Sequence, residues 1–165
     1  MKTGSHFADR TAAEQAVRMA LPMIEQAMQD ERVSGSGCLA IVVMDPALGP
    51  ADGVDFDDAL LVEHALGDRT RWDADYAGFA RAKARLAWTN ALDSHRVQNA
   101  RAHALREGDS LLWGSVCLDG IVVGVSGAHP QWDEAFATAI AANLRAIAKQ
   151  RHAGAAAAGK LVAGR

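Results

Sequence analysis

Apolar residues near the start of the chain recur at intervals of three and four, which is the spacing of one helix face. The members of this series are Ala13, Ala16, Val17, Ala20, Leu21, Ile24, Ala27 and Met28. Thr11 and Glu14 form a capping-box pattern, so we expect the helix to begin there. Pro22 lies inside the run and predicts a kink or a division into two helices. Residues 1–10 are predicted to form a mobile arm, and residues 34–37 to end the helix.

Two short apolar segments follow and indicate strands. Cys38–Met44 is continuous, rich in β-branched residues and bounded by a glycine and an Asp-Pro pair, which is typical of a buried strand. Ala59–Ala65 is a second, less uniform strand candidate. Further along, an Asp-Gly pair separates Leu111–Leu118 from Ile121–Ser126, and this pattern predicts a β-hairpin.

The remaining apolar spacing is helical. One helix is predicted from Asp73 to His103, and Asp93–Arg106 either continues it or forms a separate short helix. The last helix is predicted to begin near Pro130, a residue suited to a first turn, and to end at roughly Gln150. The Ala/Gly-rich residues 153–165 are expected to form a frayed tail.

The element order is helix, two strands, helix, hairpin, helix. Consecutive strands joined by short links favour an antiparallel sheet flanked by helices, an α/β (α+β) fold. We expect one domain over residues 11–152. The chain has no Gly-x-Gly-x-x-Gly or Walker-type loop, which disfavours nucleotide binding in those modes.

Composition narrows the class of protein. The 165 residues are 50% hydrophobic with a formal charge of −3, which gives no electrostatic case for a nucleic-acid partner. No uninterrupted apolar stretch approaches the ~20 residues of a membrane helix, and two cysteines do not make a disulfide framework. We therefore expect a cytoplasmic protein without a membrane or nucleic-acid partner.

Three segments carry a resemblance to a known family. They are Val125–Ala135, which contains Val-Ser-Gly and Gln-x-Asp-Glu-Ala, then Phe79–Ala87 with its Lys-Ala-Arg, and Ala40–Asp45. Taken together and in this order, they resemble the GlcG/HbpS family of haem-binding or haem-degrading domains. The resemblance implies a profilin-like fold, homo-oligomers and haem as a possible cofactor. Residues 113–116 stand in place of the family's Gly-Gly-x-Pro stretch, so the chain resembles a divergent branch of the family.

The first candidate site is the loop before the last helix. Ser126 and Gly127 precede a helix start that contains Asp133, so their amides are candidates for holding an anionic ligand. The alternative is that Ser126 or Asp133 only caps the helix. Lys83 matches the family's lysine, and the resemblance implies pairing with a substrate carboxylate or haem propionate. A salt bridge to a nearby acid is the alternative.

Histidine and aromatic residues supply further candidates. His129 lies in the same loop and is a candidate acid/base or axial haem ligand, the alternative being an exposed histidine without a role. The six histidines form no zinc motif, so no metal site is predicted. Tyr76 and Trp132 are candidates for an aromatic ligand pocket, although core packing or a subunit interface is the commoner use of such residues.

These observations favour a small ligand-binding protein. Its ligand would be haem, a related tetrapyrrole or a small carboxylate, held between the Lys83 helix and the loop before the last helix. One alternative is an enzyme acting on a small organic acid, with His129 or Asp133 as general acid/base. Another is an oligomeric structural accessory subunit. The sequence leaves open whether the protein is an enzyme.

Overall fold

The computed structural model describes residues 3–164, in which helices pack on both faces of one sheet. The helices are α1 (Arg10–Ala27), α2 (Tyr76–Asn90), α3 (Ser94–Ala100) and α4 (Pro130–Ala157). The strands are β1 (Leu39–Met44), β2 (Leu60–Leu66), β3 (Ser115–Leu118) and β4 (Ile121–Ser126). Short 3-10 turns occur in the connections.

The four strands form an antiparallel sheet in the order β2-β1-β4-β3. Asp119 and Gly120 both have positive φ, 50° and 85°, as the tight turn of the β3–β4 hairpin requires. The predicted hairpin and the predicted α+β fold are confirmed. The first strand of the hairpin, β3, begins at Ser115. The prediction that residues 111–114 belong to this strand is therefore wrong.

Alternate residues of the strands serve two different cores. Leu39, Ile41 and Val43 of β1 face α1 and α4 across a core of large side chains. Ala40 and Val42 point the other way, towards the small side chains of α2. Both faces of β1 are therefore buried, which explains its uninterrupted apolar sequence.

The start of α1 differs from the prediction. Asp9 is the N-cap, and its Oδ1 accepts a hydrogen bond from the Ala12 amide at 2.9 Å. The predicted capping box at Thr11 and Glu14 is therefore wrong, because Thr11 already lies within the helix. Pro22 does not divide α1, which continues to Ala27.

The structure defines the ends of α2 and α4, which the sequence analysis left open or misplaced. Ala91 adopts a left-handed conformation with φ of 50° and ends α2, so α3 is a separate helix. The last helix passes Gln150 and ends at Ala157, because the alanine-rich segment has high helix propensity. At the other end of the chain the Ser5 amide donates to the Asp45 carboxylate, while mobility of the arm stays a prediction.

Candidate functional site

A cleft of about 500 Å³ opens at the N-terminal end of α4, and we call it the α4 cleft. Six of the seven predicted site residues line it, although they come from α2, β4, the β4–α4 loop and α4. They are Tyr76, Lys83, Ser126, Gly127, His129 and Asp133. Leu112 and Trp113, from the segment before β3, add apolar surface to the same cleft.

Close packing of α2 on β4 brings Lys83 to this cleft. A Cβ placed on Gly124 would lie 2.5 Å from the Ala80 carbonyl oxygen and 2.7 Å from the Ala84 Cβ. Only small residues at these three positions permit such an approach between helix and strand. The Lys83 side chain then extends past the end of β4 towards α4.

Lys83 and Asp133 form a buried ion pair at the floor of the α4 cleft. The lysine Nζ donates to Asp133 Oδ2 at 2.9 Å, to Ser126 Oγ at 3.1 Å and to the Val125 carbonyl oxygen at 3.1 Å. Lys83 is only 3% exposed and Asp133 only 1%. An ammonium has three N–H donors, so all donors of Lys83 are engaged within the protein. The salt bridge that the sequence offered as the alternative role is the observed one.

Asp133 occupies the anion position that the loop sequence indicated. Its Oδ1 accepts from the Ala128 amide at 2.9 Å, and the Gly127 amide also lies within hydrogen-bonding range. Burial raises the pKa of Asp133 to about 6, although Lys83 and the two loop amides oppose that rise. The loop amides, which precede α4, therefore hold a carboxylate of the protein itself, and the N-cap residue His129 makes no side-chain cap hydrogen bond.

Two glycines let the backbone close around this pair. Gly127 has φ of 139°, and a Cβ there would overlap the carbonyl oxygen of Cys38, the residue before β1. Gly114 has φ of 134°, and a Cβ there would lie 2.6 Å from the Asp133 Cβ and 3.1 Å from the Lys83 Nζ. Both backbone conformations favour glycine, and the backbone at Gly114 covers the ion pair from the side of β3.

The rim of the α4 cleft is more open. The Tyr76 hydroxyl donates to Asp73 Oδ1 at 2.5 Å, and both residues line the cleft. Burial, and then the neighbouring Asp73 carboxylate, raise the pKa of Tyr76. His129 is the exposed N-cap residue of α4, and its Nε2 lies 3.4 Å from the Glu31 carbonyl oxygen.

Trp132 does not join the other six residues. It is 39% exposed, its ring packs beside Phe136, and it borders a separate depression next to residues 26–33. Helix geometry explains the separation, because Trp132 and Asp133 are consecutive and point about 100° apart around α4.

The sequence did not identify a second acid–base contact beside the cleft. His95 Nδ1 of α3 contacts Glu134 Oε2 of α4, and the His95 ring lies 5.2 Å from that of Trp113. The two partners are 39 positions apart, so no local motif predicts the contact. Glu134 belongs to the Gln-x-Asp-Glu-Ala segment, which is the one sequence signal that pointed to this region.

Residues 3–164 offer neither a metal-binding cluster nor a membrane-spanning helix. This part of the chain contains no group of three or more His, Cys, Asp or Glu side chains placed to hold a metal ion. Nor does it contain a helix with the length and apolar character needed to cross a membrane.

Comparison with known proteins gives one structural relative. No protein-family model and no curated protein matches the chain. Among solved structures, it is similar to a double mutant of HbpS from Streptomyces reticuli, with a TM-score of 0.54 and 25% sequence identity. The similarity covers 86% of this chain and 89% of that one. This match supports a relationship of the chain to the HbpS-like family, as its three sequence motifs predicted.

Proposed function

We propose that this protein binds haem or a related tetrapyrrole in the α4 cleft. The observation that carries the proposal is the convergence of six predicted residues on one cleft in a fold similar to that of HbpS. The cleft volume of about 500 Å³ lies in the range of small-molecule sites. The family resemblance in the motifs supplies the chemical class of the ligand.

One part of the cleft suits the apolar face of a large, flat ligand. Leu112 and Trp113 provide apolar contact area, and an indole ring stacks well on a porphyrin face. Tyr76 and His129 supply a phenol and an imidazole, both of which ligate haem iron in proteins. Haem bound here would contribute a redox-active iron, while these residues would orient it and exclude water from one face.

The residues at the floor of the cleft give less support to a small-carboxylate ligand or to an enzyme that uses Asp133. A small carboxylate would need the Lys83 ammonium or the loop amides, and Asp133 already occupies both. Asp133 is also a poor general base, because it is 1% exposed and both of its oxygens accept hydrogen bonds. His129 remains as the acid/base candidate of the enzyme alternative.

Titration of the purified chain with ferric haem, followed by its Soret band, tests the proposal. Leu112→Asp places a charge in the cleft, so we expect the dissociation constant to rise roughly tenfold. Leu111→Asp is the matched control, since Leu111 is 75% exposed and does not line the cleft. This control should bind haem like the unaltered chain.

Two results would contradict the proposal. One is the absence of a stoichiometric Soret shift at micromolar haem, which would favour the structural-subunit alternative. The other is equal weakening by both leucine substitutions, which would put the haem outside the α4 cleft. The resemblance also implies homo-oligomers, and sedimentation velocity with and without haem would test that expectation.

A further inference from the structure

A second groove, of about 380 Å³, lies along the C-terminal half of α4, and we call it the arm groove. Its walls come from the N-terminal arm, from α4 and from the β3–β4 hairpin. Lys149 at its edge lies roughly 24 Å along the helix axis from Asp133, so the arm groove is separate from the α4 cleft. The residues that matter for its chemistry are Phe7, Ala8, Ile121, Arg145, Lys149 and His152.

The inner surface of the arm groove is apolar. Ala8 and Ile121 form its buried part, at 3% and 5% exposed. The half-buried side chains of Phe7, Pro46 and Ala148 surround them. A hydrocarbon chain laid on this surface would remove apolar area from water, which is favourable in proportion to the area covered.

Two contacts place the arm as one wall of this groove. The Ser5 amide donates to both oxygens of the Asp45 carboxylate, at 3.0 and 3.1 Å. The Phe7 ring packs edge-on against the His152 ring, with 5.6 Å between the ring centroids. With the arm in this position, the volume of the groove falls in the range of small-molecule sites.

The rim of the arm groove carries a positive charge that the protein does not match. Arg145, Lys149 and His152 are spaced by four and three residues, so they share one face of α4. Arg145 donates to Asp119 Oδ2 at 2.6 Å. Lys149 has neither an ion pair nor a hydrogen bond in the part of the chain that the structure describes. In a chain with a formal charge of −3, this groove therefore combines an apolar floor with an unpaired ammonium.

We propose that the arm groove binds a fatty-acid carboxylate, with its head group at Lys149 and its hydrocarbon chain on the apolar floor. A neutral hydrocarbon would leave the ammonium unmatched, and a small ionic ligand would leave the floor in water. An amphiphile with one negative charge and one chain uses both features. This inference does not depend on the proposed haem binding, because it concerns a different groove.

Titration calorimetry of the full chain with decanoate tests the inference. We expect saturable binding of decanoate at one site. The alcohol 1-decanol keeps the chain and lacks the charge, so it should bind roughly fivefold more weakly, as loss of one exposed ion pair implies. Acetate keeps the charge and lacks the chain, so it should show no measurable binding.

Lys149→Glu reverses the charge at the head-group position. We expect the dissociation constant for decanoate to rise roughly fivefold or more, while binding of 1-decanol stays unchanged. Lys160→Glu is the matched control, since it makes the same change of charge at an exposed residue outside the groove. Phe7→Ser shortens the apolar wall and should weaken decanoate and 1-decanol alike. Circular dichroism checks that each variant is folded.

Three results would overturn the inference. The first is equal decanoate affinity in Lys149→Glu and Lys160→Glu. The second is an NMR titration in which decanoate moves the amide signals of residues 126–133 and leaves those of residues 5–8 and 145–152 in place, because the ligand would then lie in the α4 cleft. The third is binding to phosphatidylglycerol vesicles without binding to decanoate, which would make a membrane surface the partner. None of these results bears on the haem titration, so the two proposals can fail separately.

Discussion

The floor and the rim of the α4 cleft differ in how many of their polar atoms are available. At the floor, Lys83 and Asp133 are buried and every donor and acceptor is matched within the protein. At the rim, the Tyr76–Asp73 pair and His129 contact the open cleft. Two sets of residues that share one cleft therefore have different capacities for chemistry.

Burial is the physical reason for this difference. Removing an ion pair from water is costly, so a buried pair is stable only when its hydrogen bonds are complete. A change of partner would lose these hydrogen bonds, which offset the cost of burial. Exposed pairs exchange partners with water at little cost. We infer that the floor holds α2, β4 and α4 together, whereas the rim is the part that responds to a ligand.

The largest expected effect comes from breaking the floor pair. Lys83→Met leaves the Asp133 carboxylate buried without its cation, and we expect a loss of about 3–5 kcal/mol in the free energy of unfolding. Denaturant titration followed by circular dichroism measures this change. Arg81→Met is a control on the same helix, because Arg81 forms surface pairs with Glu63 and Asp57 that contribute about 1 kcal/mol or less.

A double variant keeps this prediction testable if Lys83→Met does not fold. Lys83→Met with Asp133→Leu removes both charges, so part of the lost stability should return. The return should be incomplete, because the Ala128 amide also loses its acceptor. Equal losses for Lys83→Met and Arg81→Met would show that the floor pair has no special structural role.

The second effect is a dependence of stability on pH. Burial raises the pKa of Asp133 from an ordinary 3.8 to about 6, so between these values the folded chain holds a proton that the unfolded chain has released. This contribution to stability is fully present below pH 4 and is lost as the pH rises through 6. A shift of about two units corresponds to about 3 kcal/mol.

Asp133→Asn isolates this contribution, because asparagine does not titrate. As the pH falls from 7 to 4, the unaltered chain should gain free energy of unfolding relative to the variant. Other carboxylates titrate in both proteins and cancel in the difference. A difference that stays constant over this range would mean that the Asp133 pKa is not raised.

Much of the fold follows from the sequence because local chemistry decides it. The continuous apolar run at β1 and the Asp-Gly pair of the hairpin each have a single structural interpretation, and both predictions are confirmed. The errors occur where competing local signals are close in energy. Asp9 takes the cap in place of Thr11, and alanine propensity extends α4 past Gln150.

The candidate site is harder to predict, because sequence motifs do not report hydrogen-bond partners. The motifs pointed to Lys83 and Asp133, but the choice between a ligand contact and an internal salt bridge depends on the close approach of α2 to β4. The contact of His95 with Glu134 joins distant segments and has no local signal. Tyr76 was selected only as an aromatic residue. Its hydrogen bond to Asp73 depends on the backbone conformation just before α2, which the sequence does not show.

The smallest expected change in stability comes from His129→Ala at the rim. His129 is exposed and its ring has one long contact, so the free energy of unfolding should change by less than about 0.5 kcal/mol. The same substitution should weaken ferric haem binding only a few-fold, because His129 supplies one exposed ring among the cleft residues that would contact the haem. Thermal unfolding with and without haem measures both effects in one series. A large loss of stability would show that the rim, like the floor, holds the fold together, and the distinction between the two halves of the cleft would then fail.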